Sequence, residues 1–104
     1  MIIYGIDFSD SVTPMKIRDA IVKCFYQAHC TETGINPGDQ EANQEYCKST
    51  VENIFRQNGD DFDNPDKESL MRAIVGLADF SKNFRPDEVI QEHYNNIKKL
   101  IDQL

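Results

Sequence analysis

The sequence predicts an all-α fold: an up-down-up-down four-helix bundle behind a short N-terminal β-like extended arm. Three observations predict it. Four stretches place apolar residues at helical spacing. Each opens near a proline or capping residue. The links between them are short, which makes successive helices antiparallel neighbours. A length of 104 residues fits one domain spanning 1–104.

The first residues, "IIYGIDF" (2–8), are β-prone. Along one extended strand Tyr4, Ile6 and Phe8 share a face. Ser9 to Thr13 breaks that pattern. Thr13-Pro14 then reads as a cap followed by proline in the first helical position, where a missing N–H costs nothing. Ile17, Ile21, Cys24 and Ala28 form the first apolar stripe, widened by Val22 and Phe25. Gly34 is the expected stop.

Asn36-Pro37-Gly38-Asp39 opens the second helix, with Cys47, Val51, Ile54 and Phe55 as its stripe. Asn58-Gly59 ends it. Asn64-Pro65 opens the third, with Asp66 and Glu68 expected in its first turn, where the helix dipole favours anions. Its stripe is Leu70, Ile74, Leu77 and Ala78, widened by Met71, Val75 and Phe84. Pro86 opens the fourth. There Ile90, Tyr94, Ile97, Ile101 and Leu104 alternate at spacings of four and three, a bundle seam.

Charge is unevenly placed. The net charge is −7, and the segment from Glu32 to Glu68 carries all of it, with ten acids against three bases. An acidic centre repels phosphate backbones and disfavours nucleic acid as a partner. It suits a basic protein surface. No apolar run reaches the length of a membrane span. "MIIYGIDFSD" has neither a basic start nor a long apolar stretch, so a cytoplasmic protein without a secretory leader is expected. Three cysteines do not make a disulfide framework.

"KCFYQAHCTETG" (23–34) concentrates two cysteines and a histidine. Cys24 and Cys30 are six apart, about 240° around a helix, so they cannot grip one ion together. Cys24 and Cys47 lie on apolar stripes and belong in the core. Cys30 falls off its stripe and is the candidate reactive thiol. It sits near a helix C-terminus, the wrong end to lower its pKa. His93 stands at the edge of the last apolar face, where a half-buried histidine is the plain reading. The sequence holds no Glu-x-x-His, HExxH, P-loop, G-x-G-x-x-G or G-x-S-x-G pattern. No cofactor is read from it.

"GDDFDNPDKES" (59–69) gathers four aspartates. Its proline and register do not fit an EF-hand, and capping chemistry accounts for much of it. The first functional reading is therefore a non-enzymatic helical interaction module with an acidic central surface. A homo-oligomer follows if residues 2–8 are a lone strand, because unpaired backbone seeks a partner; Tyr4, Ile6 and Phe8 would be the interface. The second reading is a Mg²⁺-dependent enzyme of the all-α nucleotide pyrophosphohydrolase kind. Glu41, Glu45, Asp60, Asp61 and Asp63 would be its metal carboxylates. That family's E-x-x-E then E-x-x-D pattern is not present, because Glu41 to Glu45 is one residue too long. A third is an acidic regulator of a basic protein.

Overall fold

The protein is mostly helical, with four helices behind a two-stranded hairpin. The computed structural model describes residues 2–3, 5–33, 40–84 and 88–104, with side chains at 2–3, 5–26, 44–79, 88 and 91–104. The elements are β1 (Ile2–Ile3), β2 (Ile6–Asp7), α1 (Pro14–Thr33), α2 (Gln40–Gln57), α3 (Lys67–Phe84) and α4 (Glu88–Asp102). Among these, α1 packs against α2, α3 and α4, and α3 packs against α2 and α4. Chain neighbours are thus spatial neighbours, as short links require.

The N-terminal segment departs from the expected lone strand. It folds back on itself, with Ile2 opposite Asp7 and Ile3 opposite Ile6 in antiparallel register. Gly5 makes the reversal with φ of 79°, a conformation a residue with a Cβ rarely adopts. Backbone groups expected to seek a second copy therefore pair within the chain. Phe8 is buried in the core, and Ile3 and Ile6 are partly buried against it. Tyr4 lies outside the described residues. Lys16 ties the hairpin to α1, donating from Nζ to the Asp7 carbonyl at 2.9 Å.

Helix ends follow the local chemistry. The Thr13 hydroxyl accepts from the Lys16 amide at 3.2 Å, which makes Thr13 the cap of α1 and Pro14 its first residue. At the end of α2, the Gly59 amide bonds Arg56 O at 3.0 Å and the Asp60 amide bonds Phe55 O at 2.8 Å. Gly59, at φ of 76°, completes this Schellman turn. The start of α3 is corrected. Asp66 is the cap itself, not a first-turn residue: its carboxylate accepts the Ser69 amide at 2.7 Å, and the Ser69 hydroxyl accepts the Asp66 amide at 2.9 Å. This reciprocal pair satisfies two amides that would otherwise lack partners.

The core follows the stripes. Ile17, Ile21, Cys24 and Phe25 of α1 meet Cys47, Val51 and Phe55 of α2. Leu70, Ile74, Leu77 and Ala78 of α3 and Tyr94, Ile97 and Ile101 of α4 complete it. Two assignments are corrected. Val75 is exposed, because it lies one step past Ile74 and rotates off the stripe. Leu104 is exposed beyond the last helical residue, and Leu100 is the buried residue of that turn. Phe62, in the loop between α2 and α3, also enters the core.

Candidate functional site

The loop Asp60–Asp66 meets α1 and α3 through two arginines. Asp60 accepts two bonds from Arg72, from Nε to Oδ2 at 2.9 Å and from Nη2 to Oδ1 at 2.6 Å. The carboxylate is only 11% exposed, while Arg72 is about half-exposed. Hydrogen bonding to Asp60 raises the Arg72 pKa above its ordinary value. Asp61 accepts the Asp63 amide at 2.9 Å, which folds the loop tip. Hydrogen bonds from the Ser69 amide and then from its hydroxyl hold the Asp66 carboxyl below the usual carboxylate range. In the hairpin, Asp7 is lowered by the Ser9 hydroxyl and then by its amide, with bonds at 2.6 and 2.8 Å.

On the opposite flank of the loop, Phe62 is held from two sides. Phe55 meets its ring edge-on, with centroids 5.6 Å apart and planes at 84°. The Arg18 guanidinium lies 4.4 Å from its ring centre. Arg18 also donates from Nη1 to the Phe62 carbonyl at 3.0 Å and from Nη2 to Asp19 at 2.9 Å. Its side chain is 13% exposed. Cation–π contacts of this kind are worth about 0.5–2 kcal/mol, and the desolvated ones lie at the upper end. A recess of about 250 Å³ opens beside this contact, bounded by Ile6 of the hairpin, Val22 and Lys23 of α1 and Lys48 of α2.

The residues singled out in the sequence land in different places. Glu45 is exposed on α2, and Asp61 and Asp63 are exposed in the loop. Asp60 is bound to Arg72. The side chains of Glu41 and Cys30 lie outside those described. Cys24 and Cys47 are buried, 2% and 0% exposed. Among the described residues, no three His, Cys, Asp or Glu side chains stand close enough to share a metal ion. No described helix is long and apolar enough to cross a membrane.

Arg18, Lys23, Lys48 and Phe62 were not singled out by sequence reasoning. Arg18 and Val22 are four apart, as are Asp19 and Lys23, which makes two adjacent rows along α1. Nothing in the sequence brings Lys48 or Phe62 to that flank. Comparison with known proteins finds no matching family, no similar curated protein and no matching solved structure.

Proposed function

We propose that this chain is a non-enzymatic helical interaction module with an acidic central surface, and that a second copy is its first partner. One observation carries the reading. Three of the four carboxylates of the aspartate-rich loop are employed by the fold: Asp60 anchors Arg72, Asp61 shapes the loop tip and Asp66 caps α3. Groups committed in this way have fewer oxygens left for a substrate-bound metal. The surface instead offers large apolar side chains for contact, among them Ile2 at 69% and Tyr46 at 56% exposure. Single exposed apolar residues are common, so the association they support is modest.

Two measurements test the reading. Sedimentation from low to high micromolar concentration should show mass rising above one chain. A protein that stays monomeric throughout removes the second copy as a partner. Melting with and without millimolar Mg²⁺ should give nearly the same midpoint. Ion binding at 100 times its dissociation constant adds about 2.7 kcal/mol, a rise of roughly 10 °C or more for a chain of this size. Such a rise would overturn the non-enzymatic reading in favour of the Mg²⁺ enzyme.

A further inference from the structure

The recess between the hairpin, α1, α2 and the Phe62 loop gathers positive charge in a chain whose net charge is −7. Arg18, Lys23 and Lys48 line it, and Asp19 is the one acid among the described residues of its wall. Those four side chains sum to +2. Its apolar lining comes from Ile6, Val22 and Phe62. We propose that this recess binds a small phosphate monoester, with the phosphate among the three cations and a compact apolar group against the apolar lining.

Arg18 is fixed in advance. Three of its N–H donors are used, two by Asp19 and one by the Phe62 carbonyl. A guanidinium carries five, so two remain for a ligand. Contact with the Phe62 ring and low exposure leave it little freedom to lose on binding. Lys23 and Lys48 have no hydrogen-bond or ion-pair partner among the described residues. The Lys23 ammonium lies 3.6 Å from the point a Cβ on Gly5 would occupy, so it reaches the hairpin turn.

Charge and size select the ligand. A phosphate monoester carries about −1.5 to −2 at pH 7, which matches the local +2 better than a single carboxylate does. Its three oxygens suit donors that come from two helices. A recess of about 250 Å³ is below the usual 300–1,000 Å³ of drug-sized sites, so a small ligand fills it best. The acidic remainder of the protein opposes an anion at long range. At physiological ionic strength that opposition is screened beyond about 8 Å, whereas contacts inside the recess are screened less.

The test is an NMR titration of the full chain with phenyl phosphate, inorganic phosphate and benzoate. Phenyl phosphate should shift the amides of Val22, Lys23, Lys48 and Phe62 and saturate. Inorganic phosphate and benzoate should bind more weakly. Replacing both lysines, Lys23→Gln with Lys48→Gln, removes two exposed cations without touching the core. Unshifted amides elsewhere then report an intact fold. The variant should bind phenyl phosphate about tenfold or more weakly, since each charge-assisted hydrogen bond is worth about a factor of ten. Absence of saturable shifts, or equal binding by the variant, overturns the site. Equal affinity for inorganic phosphate overturns the ester, and equal affinity for benzoate overturns the phosphate.

Discussion

Arg72 grips Asp60 with both ends of its fork, 2.9 and 2.6 Å from the two carboxylate oxygens, across the turn between α2 and α3. The pair fixes how the loop leaves α2 and so where Phe62 enters the core. Lysine offers a point charge and cannot reproduce the fork. Arg72→Lys should lower the melting temperature, and Arg72→Ala should lower it further. Amide exchange at Asp61 and Asp63 should quicken in the same order. The arginine is half-exposed, so both effects are modest. A lysine variant indistinguishable from the parent would show that charge alone holds the loop.

Gly76 sits on the exposed side of α3, with a negative-φ helical backbone. A Cβ there would meet Ile54 Cγ2 at 3.9 Å, an ordinary contact. Glycine inside a helix costs roughly 0.5–1 kcal/mol relative to alanine. Gly76→Ala should therefore stabilise the protein by about that amount in urea denaturation. A loss of stability would mean that the position has a use for its bare backbone.

Phe8 is only 5% exposed within one copy of the chain. Removing a buried phenyl ring costs about 3–5 kcal/mol. Phe8→Ala should reduce stability by that order, equally at low and high protein concentration. Ile2→Ser, at a site 69% exposed, should leave single-chain stability nearly unchanged and weaken only self-association. A Phe8→Ala penalty that grows with protein concentration would place this ring at an interface instead of in the core.

The cap of α3 sets a pH dependence. Asp66 is held below its ordinary value of 3.8 in the folded protein. Its stabilising effect is complete above that value and is lost as the pH falls through the lower, folded one. Asp7 contributes in the same window, since Ser9 lowers it likewise. Asparagine caps helices about as well as aspartate but does not titrate. Asp66→Asn should keep most of the neutral-pH stability and lose less on acidification, as melting temperatures from neutral to about pH 2 will read. An unchanged acid slope would remove Asp66 from the account.

Much of the helical frame was legible because its signals are local. Thr13-Pro14 and Asn58-Gly59 mark helix ends through bonds made within a few residues, and both appear as read. Ile17, Ile21, Val51, Phe55, Ile74 and Ile97 repeat at helical spacing and are fully buried. The hairpin was missed because "IIYGIDF" has the composition of a single strand, and only the conformation of Gly5 reveals the reversal. The start of α3 lies two positions later than expected, because Asn64-Pro65 offers a competing cap and first residue ahead of Asp66. The cationic recess was illegible for a different reason. Arg18 and Phe62 are 44 positions apart, and their contact depends on how the loop after α2 closes over α1.

Cys24 and Cys47 give the protein an internal clock. Both thiols are shut inside the bundle, so a reagent reaches them only when the helices part. When reclosing is faster than the reagent, their reaction rate divided by that of an open peptide thiol equals the fraction of time the chain spends open. A ligand that tightens the fold then announces itself as a slower reaction at two atoms it never touches.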